Sequence, residues 1–294
     1  MKIMLLGAGG QLGQTLLRQA PHHPNHQICA YTQTQLNITR LSDIERMVHH
    51  DKPDLLINAA AYTQVDQAEK DEETAFLVNK EGAKHLALVC ANANIPLIHV
   101  STDYVFSGDN TTPYLETDVA QPINVYGQSK LEGERCIQAL QPQHLILRVS
   151  GVFSPFKINF VKKMLELGQT KQTLNVVNDQ FICPTSAADI ANTLLEMAKA
   201  LSSSKFCAWG TYHYCSKEIT SWFEFARVIF DFARQHTSLT LHTLKPIPSE
   251  HYPTPAKRPR FSALNCEKLR RQFSLSQPSW HHSLPQVILE LLRS

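Results

Sequence analysis

Residues Lys2 to Leu6 form a short apolar run that passes directly into Gly7-Ala8-Gly9-Gly10-Gln11-Leu12-Gly13, and a helical pattern follows with Leu12, Leu16 and Leu17 on one face. No other stretch restricts the fold as much. An apolar run of this length without alternation fits a parallel strand buried on both sides. Glycines at positions 7, 10 and 13 allow a tight strand-to-helix turn, close approach of backbone to a pyrophosphate, and close packing of helix on strand. The phosphate would sit on the helix N-terminus, where unpaired amides and the helix dipole favour an anion. Strand, glycine turn and helix in that order predict dinucleotide binding by Gly7, Gly10 and Gly13.

The alternation continues down the chain. Strands are predicted at 27–31, 54–58, 95–100 and 144–149, and helices at about 42–50, 71–94 and 125–140. Alternating strands and helices give an α/β fold, a Rossmann-type doubly wound parallel sheet with its ligand crevice at the carboxyl ends of the strands. Beyond Val149 the regularity ends: helices at about 159–168, 186–200, 221–236 and 284–292 mix with strands at 174–177 and 210–214. These predict a smaller mixed α/β C-terminal lobe over the mouth of the sheet. The dinucleotide-binding domain is expected at 1–150, with about 180–210 returning to it, and the substrate-binding lobe at about 151–179 and 211–294. Phe223, Phe225, Phe230 and Phe232 read as core of that lobe.

Chemistry-bearing residues fall at the strand ends. Asn58-Ala59-Ala60-Ala61-Tyr62-Thr63 closes one strand, with alanines small enough for a cofactor to lie against the backbone, and Ser101-Thr102-Asp103-Tyr104-Val105-Phe106 closes another. In Tyr126-Gly127-Gln128-Ser129-Lys130 a phenol and an ammonium stand four apart, on one helical face. A cation beside it favours the phenolate, so Tyr126 is a candidate general acid or base. The loop Pro253-Thr254-Pro255-Ala256-Lys257-Arg258-Pro259-Arg260 sets cations among prolines, and guanidinium forks suit a diphosphate; a solvated basic loop is the other reading. After the second strand, where an acid would accept from a ribose 2′-hydroxyl and a base would meet a 2′-phosphate, stand Thr32 and Gln33, which select neither NADH nor NADPH.

The net charge of +2 gives no bulk attraction to nucleic acid. The N-terminal apolar run is too short for a signal peptide or a membrane span, so a cytoplasmic protein is expected, with no membrane partner. The scattered cysteines, seven in all, read as buried thiols without disulfides, and the His22-His23, His49-His50 and His281-His282 pairs read as surface residues. No metal-ligand spacing is present.

With these motifs assembled, the chain resembles the dTDP-4-dehydrorhamnose reductase family of the extended short-chain dehydrogenase/reductase superfamily over nearly its whole length. The resemblance rests on Gly7, Gly10 and Gly13, on Tyr126 and Lys130, on Asn58 to Asp66, Ser101 to Phe106 and Tyr126 to Glu134. Val177 to Phe181, Pro184-Thr185, Ser221 to Phe225 and Arg258-Pro259 extend it. It implies that Tyr126, Lys130 and Thr102 are catalytic. It implies a cofactor site of Gly7, Gly10, Gln11, Leu12 and Gly13 at the pyrophosphate, with Asn37 and Ile38 flanking the adenine. Ala60, Ala61, Tyr62, Thr63 and Val100 would line the nicotinamide side, with Tyr126 and Lys130. Thr102, Asp103, Tyr104, Gly151 and Arg258 would meet the sugar nucleotide. The chain departs from the family where Asn37 replaces Asp, where Thr32-Gln33 replaces an Asp-Arg pair, where Gly151 replaces Trp, and where Phe181-Ile182-Cys183-Pro184 replaces a smaller Gly-Ser pair.

The implied activity is reduction of the C4 keto group of a nucleoside-diphosphate deoxysugar, dTDP-4-dehydro-L-rhamnose foremost, by NADPH or NADH with NADPH put first. The alternatives are a non-catalytic subunit like the methionine adenosyltransferase β-subunit, and another NDP-sugar epimerase or reductase. Either a monomer or a homodimer fits, and a bridging Mg²⁺ is left open.

Overall fold

The computed structural model describes residues 1–203 and 206–293. Its centre is a six-stranded sheet built from β1 (Lys2–Leu6), β2 (Gln27–Tyr31), β3 (Leu55–Asn58), β4 (Leu97–Thr102), β5 (His144–Val149) and β6 (Gly210–Tyr214). All neighbours are parallel, in the order β6, β5, β4, β3, β1, β2. The chain steps outward from β1 to β2 and then crosses to the other side of β1 for β3. That reversal opens a crevice at the carboxyl ends of β1 and β3, where ligands of such sheets bind.

Successive strand residues face opposite sides. Ile3 and Leu5 enter one apolar cluster with Leu16 of α1 (Gln11–Gln19) and Ile190 and Leu194 of the helix Ala187–Ala200. Met4 and Leu6 enter the other, with Ile44 of α2 (Leu41–Asp51), Leu86 of α3 (Gly82–Ala93) and Ile137 of α4 (Val125–Leu140). These β1 residues are at most 1% exposed, each worth about 1.5–3 kcal/mol of burial. The apolar N-terminal run is thus the middle of a three-layer sandwich.

Two differences from the sequence expectation bear on the site. The helix predicted over 71–94 runs as Glu72–Phe76, then a π-helical stretch Leu77–Glu81, then α3. Stretches of this kind shift the register of side chains, and here Asn79 is turned inward, 2% exposed. Second, the sequence pattern assigns residues 211–214 to the smaller lobe, whereas Gly210–Tyr214 is the sixth sheet strand, paired with β5 from Gly210 against Leu145 to Tyr214 against Val149. The helix Glu267–Phe273 also packs on the sheet, through Leu269 and Phe273. Pairing between segments 65 residues apart leaves no local pattern to read.

Several of the remaining elements gather around a third cluster. Phe225 and Phe230 of Trp222–Ala233, Trp280 and Ile288 of Trp280–Arg293, and Val161 of Phe160–Thr170 are buried in it, with Phe223 and Phe232 packed alongside. A parallel ladder of Thr173–Val177 with Thr243–Ile247 flanks it. Of the cysteines, Cys90, Cys183, Cys215 and Cys266 are buried, Cys29 and Cys136 half-buried, and Cys207 exposed; all are free thiols, so the expectation of burial holds for only part of the set. No helix among the described residues is long and apolar enough to cross a membrane.

Candidate active site

The glycine turn is built by backbone bonds that only a narrow set of residues permits. The Gly7 and Ala8 amides both donate to the Tyr31 carbonyl, at 3.1 and 3.0 Å, and the Gly10 amide donates to the Gly7 carbonyl at 2.9 Å. Gly7 has φ +81°, and a Cβ there would lie 2.5 Å from the Ala60 nitrogen. A Cβ at Gly13 would lie 2.2 Å from the Gly7 oxygen. These two glycines answer to the protein's own packing. Gly10 does not: a Cβ there would meet only the Gly7 oxygen, at 3.3 Å, so space is left open over the first turn of α1. No side chain caps that helix. Its first amides remain as donors at the positive end of the helix dipole, a setting suited to a phosphate.

Beside the turn lies a cleft of about 700 Å³. Of the residues expected to hold a cofactor, Gly7, Gly10, Asn37, Ile38 and Ala60 to Thr63 line it together. The Leu12 side chain packs into the core, which leaves its amide among the donors of the first turn, and Gln11 Oε1 accepts a hydrogen bond from the Ser154 hydroxyl at 3.1 Å. The cleft has neutral walls after β2, where Thr32, Gln33 and Thr34 stand, and one residue the sequence did not signal, Lys157. Lys157 is exposed with φ +55°, a backbone conformation rare for a side-chain-bearing residue.

The other wall is clipped by Asn79. Its Oδ1 accepts from the Tyr62 amide at 2.9 Å, and its Nδ2 donates to the Tyr62 carbonyl at 3.0 Å and to the Ser129 hydroxyl at 2.9 Å. One side chain therefore ties the alanine-rich loop after β3 to α4. The π-helical stretch that aims it has no signature in a single sequence.

Helix α4 begins where Asn124 caps it, accepting from the Gly127 amide at 2.8 Å. Tyr126 stands in its first turn, edge-on to Tyr104 with ring centroids 5.8 Å apart. Spacing suggested that Lys130 would lower the Tyr126 pKa. The structure has it raised: burial drives the phenol up, a hydrogen bond with Thr102 draws it partly back, and Asp103 and Tyr104 add to the rise. The Lys130 ammonium acts elsewhere, its Nζ donating to the Val100 carbonyl at 2.8 Å and lying 3.1 Å from His99 Nε2. Burial lowers its pKa to about 8, against Glu134, which favours the charge.

Thr102 closes β4. Its hydroxyl accepts from the Tyr104 amide at 3.2 Å and donates to Asp103 Oδ1 at 3.0 Å, while the Ser150 hydroxyl donates to Asp103 Oδ2 at 2.8 Å. Behind this row, Glu134 of α4 and Arg148 of β5 form a buried ion pair at 2.6 Å. Arg258 of the proline-rich loop reaches back to Asp66 at 2.7 Å and covers the Tyr104 ring, its guanidinium carbon 5.8 Å from the centroid. Asn124 Nδ2 donates to the Lys257 carbonyl at 2.8 Å and fixes the same loop. The basic loop is therefore docked against Asp66, Tyr104 and Asn124, and the solvated reading of it fits Lys257 and Arg260 alone, both exposed.

A sequence model described as the RmlD substrate binding domain matches residues 1–293. The chain belongs to this family. Among its curated relatives, the dTDP-4-dehydrorhamnose reductase of Sinorhizobium fredii (strain NBRC 101917 / NGR234) is 40% identical over 99% of this chain and 98% of its own. That of Aggregatibacter actinomycetemcomitans is 38% identical over 97% and 98%. A crystal structure of a dTDP-4-dehydrorhamnose reductase from Clostridium acetobutylicum superposes with a TM-score of 0.91 at 34% identity, over 100% of both chains. One from Bacillus anthracis in complex with NADP gives 0.89 at 34% identity, over 98% of this chain and 99% of that one.

Gly151 stands where the sequence resemblance implies a tryptophan. It has φ +55°, and a Cβ would lie 3.0 Å from the Cys183 oxygen and 3.1 Å from the Pro184 Cα. The local backbone is therefore shaped for glycine, and a bulky side chain there would have to displace the 183–184 segment.

Proposed function

We propose that the chain is a nicotinamide-dependent oxidoreductase that reduces the C4 keto group of a nucleoside-diphosphate deoxysugar, with dTDP-4-dehydro-L-rhamnose as substrate and dTDP-L-rhamnose as product. One observation carries the reading. In a chain up to 40% identical to dTDP-4-dehydrorhamnose reductases over its full length, the glycine-turn cleft and the Tyr126, Lys130 and Thr102 row stand at the same edge of one sheet. That supports an enzyme over a regulatory subunit or an epimerase.

Gly7, Gly10 and the first turn of α1 would hold the pyrophosphate, Asn37 and Ile38 the adenine side, and Ala60 to Thr63 with Val100 the nicotinamide side. NADPH is the preferred cofactor in this reading. The NADP bound by the Bacillus anthracis relative supports it. The smaller cluster of C-terminal elements, with the loop bearing Arg258, would form the substrate side.

When bound, the reduced nicotinamide supplies the hydride. The residues then have distinct tasks. Burial keeps the Tyr126 phenol protonated at neutral pH, which is the form that can donate a proton to an alkoxide developing at C4. Thr102, bonded to Tyr126, would orient that oxygen, and Asp103 would meet the sugar hydroxyls beside it. Lys130 would stabilise the phenolate left behind. Arg258 would offer its free donors to the diphosphate while Asp66 holds its position.

General acid catalysis of this kind contributes ~10²–10⁴-fold. Tyr126→Phe should therefore lose about that much kcat in an assay following NADPH oxidation with dTDP-4-dehydrorhamnose, and keep its NADPH affinity within a few-fold. Parental turnover by the variant would remove Tyr126 from the acid's role, and no substrate-dependent oxidation by the parent would remove the activity.

A further inference from the structure

The cleft beside the glycine turn is neutral except at one point. Among the described residues that line it, Lys157 alone carries a charge at neutral pH; the rest are small, apolar or uncharged polar residues. A dinucleotide brings negative charge on both phosphates of its pyrophosphate, and an anion in a partly enclosed cleft is costly without a counter-charge. The amides at the start of α1 supply partial charge only, and Gln11 to Gln14 bear none on their side chains. Lys157 is exposed, and no hydrogen bond or ion pair joins its ammonium to another described residue.

The backbone explains how this side chain is presented. After the short strand Val152–Phe153, the Phe156 amide donates to the Ser154 hydroxyl at 3.2 Å, and Asn159 Nδ2 donates to the Ser154 carbonyl at 2.7 Å. Asn159 Oδ1 accepts from the Val161 and Lys162 amides at 3.1 and 3.3 Å and so caps the helix Phe160–Thr170. The turn 154–159 is thus closed at both ends. Two contacts tie it to α1: the Ser154 hydroxyl to Gln11 Oε1 at 3.1 Å, and the Arg18 guanidinium over the Phe156 ring at 6.0 Å. Lys157 sits within this turn at φ +55°. Glycine takes that conformation freely and lysine is strained in it; strain of this kind collects where a residue has a task.

We infer that Lys157 is a cofactor-binding residue whose ammonium reaches the pyrophosphate lying over the first turn of α1, and that it serves NADH and NADPH alike. The inference rests on the nicotinamide reading of the cleft. The anchors of the turn favour the pyrophosphate over a 2′-phosphate. Gln11 and Arg18 belong to the helix whose N-terminus would face the pyrophosphate, whereas no hydrogen bond among the described residues joins the turn to Thr32, Gln33 or Thr34, beside which the adenine ribose would lie. Lys157 therefore sets affinity for a group that both cofactors carry, and the choice between them falls to other contacts.

Calorimetric binding of NADPH and of NADH to the full chain, at low and at high salt, tests this together with thermal unfolding in the absence of cofactor. Lys157→Gln removes the charge and keeps much of the length, and Lys157→Gly also removes the strain. In both variants the affinities for NADPH and NADH should fall by the same factor, about five- to thirtyfold. Added salt should weaken binding by the parent more steeply than binding by Lys157→Gln. Without cofactor, Lys157→Gly should unfold at or above the parental midpoint, because glycine fits the left-handed position. A loss confined to NADPH would move the contact to the 2′-phosphate and overturn the inference. Parental affinity of Lys157→Gln for both cofactors would leave the side chain in solvent and overturn it as well. So would weaker binding in Lys157→Gly alone with a lowered midpoint, which would assign Lys157 to the packing of its turn. Each of these failures leaves binding by the parent intact; a parent that binds neither cofactor loses the nicotinamide reading itself, and this contact with it.

Discussion

Asp103 shows how one buried carboxyl links site chemistry to stability. It is 3% exposed, and burial lifts its pKa to about 6 against hydrogen bonds from Ser150 and Thr102 that draw it down. Between the unfolded value of 3.8 and about 6 the folded chain holds a proton here that the unfolded chain has released. This residue's contribution to stability therefore falls as pH rises through that window, by on the order of 3 kcal/mol in total. In Asp103→Asn that loss should vanish, so denaturant unfolding should find the variant gaining on the parent between about pH 4 and 7. Equal pH dependence of the two proteins would mean that Asp103 ionises normally. Tyr126, Lys130 and Thr102 were legible as candidates because each residue type carries its chemistry with it. Their protonation was not, because burial and partners set it: the phenol that spacing suggested would be acidic is held protonated instead.

At the scale of elements, the strand–turn–helix unit separates what packing requires from what a ligand requires. Gly13→Ala puts a methyl 2.2 Å from the Gly7 carbonyl, which is itself fixed by the turn. Unfolding measurements should register a loss of about 1–3 kcal/mol or more, as overpacked sites show. Gly10→Ala meets only one atom, at 3.3 Å. It should fold with nearly parental stability yet bind NADPH about tenfold more weakly, roughly 1.4 kcal/mol, because its methyl stands over the amides of α1. Parental affinity in Gly10→Ala would show that no phosphate approaches this turn. The unit was readable because its signals, an apolar run, spaced glycines and a helical pattern, lie side by side in one short stretch of the chain. The π-helical stretch was not: what it achieves, the clip from Asn79 to Tyr62 and Ser129, appears only once α4 is packed beside it.

For the whole molecule, the buried histidines outweigh Asp103 in setting the response to acid. His213 is fully buried, with Nδ1 at 3.0 Å from the Tyr114 carbonyl; burial first, then Arg148, lower its pKa from 6.5 to about 3. His99 is lowered in the same sense. The unfolded chain takes up protons at these residues from about pH 6.5 downward while the folded chain does not, so stability is lost as pH falls toward 3. The His213 shift exceeds the opposite one at Asp103, and the net expectation is a protein markedly less stable at about pH 4.5 than at 7.5. A denaturation midpoint that stays level or rises on acidification would refute this balance. The sequence by itself determined the parallel sheet, the glycine turn and the candidate row at the strand ends, because periodicity, backbone freedom and residue chemistry act over short separations. Only the tertiary structure decided that Gly210–Tyr214 completes the sheet, that Lys157 lines the cleft, that Arg258 is held by Asp66, and that His99 stands against Lys130. Those outcomes depend on strand pairing, burial and donor–acceptor matching between segments far apart in the chain, and no local pattern encodes them.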